Sequence, residues 1–307
     1  MVWLESLRLC SNSAAFRLKA VENLTGEQSP RALELLLKTL KDTDEEVRRA
    51  AALALGNIPC EQSVDGLISV LTDPCKEVRA AAVTELGRLE DRRAIGALLR
   101  CLRDPEARIR VFAATALHKL GWRKTAEGTG AATGELPASD TTFLLAGMAD
   151  PDPQVRIGAA QVLEKEGNPA HSGWFLPLLG NEQFELRAAA ANYFGRLKDP
   201  HFALSVIPLL NDEDSDVREA AARALGELKN PAAIDALVMA LIDEEATVRQ
   251  AAEAALAAMN PSWEKCDAVH KASSKLKTFL NDHRPTVNSA AAKVLSRLNA
   301  ARKHAMA

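Results

Sequence analysis

One phrase recurs along the chain, and its spacing limits the fold more than any other feature. In residues 212–228 it reads Asp-Glu-Asp-Ser-Asp-Val-Arg-Glu-Ala-Ala-Ala-Arg-Ala-Leu-Gly-Glu-Leu. Counted from its first arginine, Arg218, the phrase returns at Arg17, Arg48, Arg79, Arg110, Arg156, Arg187 and Arg249, and in weakened form at Asn288. The intervals are 31, 31, 31, 46, 31, 31, 31 and 39 residues, so a period of 31 is broken only by insertions of 15 and 8. A fixed period in this range is the signature of a repeat architecture, in which each unit is one supersecondary element that cannot bury its apolar face alone.

Three residues after the arginine every unit has alanine: Ala20, Ala51, Ala82, Ala113, Ala159, Ala190, Ala221, Ala252 and Ala291. Seven residues after it stands leucine, with Phe194 as the exception, and one residue before it an apolar side chain, from Phe16 to Val287. Positions −1, +3 and +7 share one face of a helix. The alanine row implies a close approach of two helix axes, at the short end of about 8–10 Å. A second apolar pattern precedes each phrase, as in Leu33, Leu36, Leu37 and Leu40. Each unit is therefore a helix A, a turn, a helix B and a second turn. At position −6 the turn carries Asp42, Asp73, Asp104, Asp150, Asp212, Asp243 or Asp282, with Ser11 and Asn181 as exceptions. The fork of the repeated arginine suits carboxylate or carbonyl partners, so the arginine row reads as a ladder to aspartates of its own or a neighbouring unit. Gly56, Gly87, Gly195 and Gly226 read as turn residues ending helix B.

The Asp-x₄-Val-Arg-x₂-Ala-Ala-x₃-Leu-Gly phrase at this spacing resembles the short HEAT-like repeats named after phycobilisome lyases. The resemblance implies an all-α solenoid, a right-handed superhelix of nine helix pairs spanning 1–307 as a single body, with helices A convex and helices B concave. An insertion loop, 121–138, interrupts it. Within that loop Trp122 is the residue expected to dock back onto the body, and Trp3 is expected to close the open end of the core.

Apolar residues make up 47% of the chain and aromatics 4%, so the core is built from leucine and alanine. The net charge of −3 disfavours nucleic acid as a partner. The cysteines, Cys10, Cys60, Cys75, Cys101 and Cys266, have no CxxC spacing and read as reduced thiols in a cytoplasmic protein. No apolar run approaches the ~18 residues of a membrane span. No histidine is followed by glutamate, whereas repeat proteins of this type that hydroxylate deoxyhypusine hold iron with His-Glu pairs. No HExxH, GxSxG or dinucleotide fingerprint occurs. No catalytic residue, metal ligand or cofactor is assigned.

These features favour a non-catalytic, monomeric scaffold that grips a protein or peptide. A bilin lyase or chromophore-handling factor for phycobiliproteins is the alternative implied by the resemblance, and a nucleic-acid-binding HEAT-like protein is a third. If helices B line the concave face, positions −3, −2, +1, +2, +5 and +9 point into it, because they avoid the −1, +3, +7 stripe. Val111, Phe112, Ile157 and Phe184 then supply an apolar centre. Thr115, Gln161 and Asn192 supply polar edges, and Arg88, Lys119, Lys165 and Arg196 a basic rim. An apolar centre with a polar rim is the anatomy of a protein-binding patch.

Overall fold

The computed structural model describes residues 2–120 and 138–306. The 121–137 segment, Trp122 included, lies outside the described residues. Every described element is helical. The B helices are Ala14–Leu24, Glu45–Leu55, Lys76–Leu89, Ala107–Leu120, Pro153–Glu166, Phe184–Leu197, Ser215–Leu228, Ala246–Met259 and Pro285–Met306. Each follows an A helix of its own repeat, so the chain is an all-α repeat solenoid. Its contacts group into two compact units, residues 1–162 and 163–307.

The stripe inferred from the sequence is the core in both units. Val47, Val78, Ile109 and Val155 at −1 are fully buried in the first unit, and Leu186, Val217, Val248 and Val287 are buried in the second. The +3 alanines are buried throughout. The first repeat departs from this pattern. Phe16, at its −1 position, is 62% exposed, and Trp3 is 74% exposed rather than closing the core.

Within each unit an arginine ladder links successive repeats. Nε and Nη2 of Arg17, Arg48, Arg79 and Arg110 donate to both carboxylate oxygens of Asp42, Asp73, Asp104 and Asp150, at 2.7–3.2 Å. In the second unit Arg187 holds Asp212 and Arg218 holds Asp243 in the same way. Nη1 donates backwards to the carbonyl six residues earlier, as in Arg48 to Asp42 and Arg187 to Asn181. One guanidinium thus fixes the turn of its own repeat and the aspartate of its successor. That aspartate also accepts an amide two residues on, at Asp44, Cys75, Glu106, Asp152 and Asp214, which shapes the turn into helix B. At the last repeat the arrangement changes. Arg284 binds Asp282, while Arg249 donates to the carbonyls of Asp243 and Glu244 in its own turn.

At +8, Gly56 caps the end of its helix B as expected, but the other three glycines have a different role. Gly87, Gly195 and Gly226 lie inside helix B. A Cβ at Gly87 would meet Ala116 Cβ at 2.8 Å. One at Gly195 or Gly226 would meet the Cα of Ala224 or Ala255 at 2.8 Å. Consecutive B helices therefore touch backbone to backbone, with +8 of one against +6 of the next. The turn falls three residues later. At +11, Glu90, Lys198, Lys229 and Gly167 adopt positive φ of 51–61°. At +12, Asp91, Asn168, Asp199 and Asn230 cap the following 3₁₀ turn through their side chains. In three of these turns proline follows, where a missing N–H costs nothing. Pro177 and Pro208 also split helix A of the sixth and seventh repeats into α and 3₁₀ pieces, Ser172–Phe175 with Pro177–Gly180 and Ala203–Val206 with Ile207–Asn211.

Two outcomes test this packing. Alanine for glycine ordinarily stabilises a helix by about 1 kcal/mol, and Gly96, with no atom within 4 Å of its added Cβ, should show a gain up to that size. Gly226→Ala should instead destabilise by about 1–3 kcal/mol through overpacking. Urea titration of both variants measures the sign, and a stabilised Gly226→Ala would refute the seam.

The second outcome concerns the ladder. Burial opposes the charge on Asp42, Asp73 and Asp212, but the arginine hydrogen bonds and the turn amide outweigh it and hold each carboxyl below its ordinary value. The folded state therefore binds fewer protons than an unfolded chain whose aspartates titrate near about 3.9. This stability is fully present above about pH 5 and is lost as pH falls through the lowered folded values. Arg187→Ala, which strips one partner from a nearly buried pair, should cost roughly 2–4 kcal/mol at pH 7 and clearly less at pH 2. Equal losses at both pH values would contradict the ladder's contribution.

Candidate partner-binding face

The B helices pack through −1, +3 and +7 against helices A, and through +2, +4, +6 and +8 against one another. This leaves −3, −2, +5 and +9 as the outward row. The +2 position does not belong to it in general, since Ala81, Gly158, Ala189, Ala220 and Ala251 are buried. Gly158 shows why: a Cβ there would meet Ala114 Cβ at 2.5 Å. Phe112 occupies the same position with a large ring, which is pushed partly out of the seam and stays half-exposed.

In the first unit the structure gathers three of the expected residues. Phe112, Thr115 and Lys119 line a groove of about 240 Å³ with Val83, Thr84 and Gly87 of the preceding B helix. The Arg108 guanidinium lies 5.1 Å from the Phe112 ring centroid, one helical turn away. Val111 is half-exposed beside them. Arg88 is exposed but committed: it donates to Glu85 Oε2 at 2.8 Å and to Asn57 Oδ1 at 3.0 Å. Gln161 is half-exposed. Ile157 is buried at 6% exposure, which corrects its placement on an open surface; its substitution acts through packing.

In the second unit Asn192 and Arg196 line a groove of about 550 Å³ with Lys198, Arg223 and Glu227. Phe184, 39% exposed, stands at the start of its B helix, outside this groove. Beside Asn192 and Arg196 lies Glu164, buried at the +8 position that is glycine in four other repeats. Arg196 Nη2 is 3.8 Å from Glu164 Oε1. Burial pushes the Glu164 carboxyl up to about 7, with Arg196, a hydrogen bond from Asn192 and Lys165 pulling the other way. Burial likewise lowers the Lys165 ammonium, which the Glu164 charge partly restores. Glu164 is the residue the face analysis passed over. Its signal was a carboxylate at a position where four other repeats have glycine.

Among the described residues no group of three or more His, Cys, Asp or Glu side chains is placed to hold a metal ion. No helix among them is long and apolar enough to cross a membrane.

The HEAT-repeat model matches residues 2–73, 64–128, 141–206 and 203–257. The chain belongs to the HEAT-repeat family. No curated protein matches its sequence. Among solved structures, an engineered protein is similar at 21% identity and a TM-score of 0.61, over 97% of this chain and 88% of that one. Kap95p, solved with RanGDP, is similar at 13% identity and a TM-score of 0.60, over 97% of this chain and 46% of that one. The complex of CpcE and CpcF of phycocyanin lyase from Nostoc sp. PCC7120 gives 22% identity and a TM-score of 0.42, over 77% and 92%. At these identities the first two likenesses concern the HEAT-repeat fold alone. The third is too slight to bear on function.

The buried carboxylate yields a further outcome. Glu164 is protonated more readily in the folded chain than in the unfolded one, where glutamate titrates near about 4.3. Its sign is therefore opposite to the ladder aspartates: the folded state is penalised as pH rises from about 4 towards 7. Glu164→Gln should raise stability at pH 8 by on the order of 1–3 kcal/mol and leave it nearly unchanged at pH 4. Thermal melting at the two pH values measures it, and a destabilised variant at pH 8 would show that the Arg196 pairing outweighs burial.

Proposed function

We propose that this HEAT-repeat chain is a non-catalytic scaffold that binds a protein or peptide on its B-helix face. The observation that carries the reading is the groove around Phe112, Thr115 and Lys119. An aromatic ring is held half-exposed where the other repeats place alanine, glycine or lysine, beside outward polar groups that the packing does not need. Apolar area at a groove with a polar rim is the form a protein-recognition patch takes. Val111 stands half-exposed at +1 of the same helix, Gln161, Phe184, Asn192, Lys165 and Arg196 take outward positions in their own repeats, and Asn192 and Arg196 open onto the groove of the second unit. Kap95p, which shares the fold, is a protein that binds RanGDP, so the architecture is compatible with such a task.

Site-specific photo-crosslinking tests the reading in cells of the source organism. A crosslinking amino acid at Thr115 should give discrete protein adducts, and one at Arg100, exposed on helix A of the same repeat, should not. Adducts from neither position, or the same adducts from both, would remove the B-helix face from consideration.

A further inference from the structure

The fourth repeat breaks the charge pattern of its neighbours. At −2, in the first turn of helix B, the second, third, sixth and seventh repeats place Glu46, Glu77, Glu185 and Asp216. An acid there complements the helix dipole. The fourth repeat has Arg108, a cation at the wrong end of its helix. No other solvent-reaching position named for this helix offsets it: −3, +5 and +9 are Ala107, Thr115 and Lys119, and the half-exposed +1 and +2 are Val111 and Phe112. Among the described residues neither Arg108 nor Lys119 forms an ion pair with a carboxylate, and Arg108 instead lies over the Phe112 ring. This stretch of helix is cationic and apolar within a chain of net charge −3. A residue that opposes local preference without an internal partner points to a function.

We propose that the groove between the B helices of the third and fourth repeats binds an acidic linear peptide with a single apolar anchor. The proposal rests on the scaffold reading above and specifies its ligand. The anchor side chain enters the groove between Val83, Thr84 and Phe112. One carboxylate meets Arg108 and another meets Lys119. The two cations are eleven residues apart on one helix, about 16 Å along its axis. An extended peptide covers that span in about five residues at ~3.3 Å each. Phe112 lies one turn from Arg108, about two peptide residues away. The geometry therefore selects acid-x-apolar-x-x-acid, with the first acid on Arg108. Steering by the two cations makes the association faster at low salt.

Selection of a random peptide-display library on the full-length chain, followed by fluorescence anisotropy with labelled Gly-Glu-Ser-Leu-Ser-Ser-Glu-Gly, tests this. Selected sequences should be enriched in two acids five residues apart flanking an apolar residue. Arg108→Glu and Lys119→Glu should each weaken the labelled peptide at least tenfold, and Phe112→Ser should do the same. Arg108→Glu should keep the melting temperature, because it restores the acid that other repeats carry at −2; it decides the matter if Phe112→Ser, or Lys119→Glu with its anion in the last turn of the helix, unfolds. A peptide with lysine in place of both glutamates should bind the doubly reversed variant better than the parent chain. Binders of basic or neutral composition, or binders indifferent to both reversals, would overturn the acidic ligand and leave the scaffold reading standing. A selection that returns no binder of any composition would overturn both.

Discussion

The bidentate hold of an arginine on the next repeat's aspartate is the interaction on which the remaining order depends. Helices of 7–14 residues are marginal alone, and most A helices here are at the short end. Each guanidinium of the ladder, as at Arg48, joins three things at once: the carbonyl of its own turn, the carboxylate of the following repeat, and through that carboxylate the amide that starts the following helix B. Both charges are nearly out of solvent. Such a pair is costly to desolvate and is worth most as a device that fixes one register. With the turns fixed, successive B helices are brought to a distance at which only glycine and alanine fit.

That distance explains what the sequence disclosed and what it did not. The −1, +3, +7 stripe was legible because burial against helix A depends only on the period of a single helix. The arginine row was legible as scaffold because eight equivalent positions carry it in register. The role of Gly87, Gly195 and Gly226 was hidden. A glycine near a helix end and a glycine at a helix crossing look alike in one dimension, and only the 2.8 Å approach to the next repeat separates them. The same lateral seam removes +2 from the outward row. The burial of Ile157 has no such account, since +1 is half-exposed in most repeats. Trp3 illustrates a different limit, because whether a terminal side chain is covered depends on what stands before it.

At the candidate site the sequence supplied residue types and the structure supplied their company. Phe112, Thr115 and Lys119 were legible as outward residues, but the contribution of Val83 and Thr84 from the preceding helix was not. Arg88 looked equivalent to Lys119, yet Glu85 and Asn57 engage it. Glu164 shows the seam answering a substitution. A carboxylate at +8, where four other repeats have glycine, stays buried, and its proton affinity rises to meet the loss of water.

The join between the fourth and fifth repeats has a consequence for how such chains change over time. Arg110 reaches an aspartate forty residues away, while Arg17, Arg48 and Arg79 reach theirs across twenty-five, and the hydrogen bonds are nearly the same length. Register is thus set by side-chain chemistry and not by covalent spacing. The connector after helix B is a place where length is free to drift, whereas the six residues from aspartate to arginine within a repeat behave as an indivisible module. New sequence inserted at that connector leaves the clamp on either side intact.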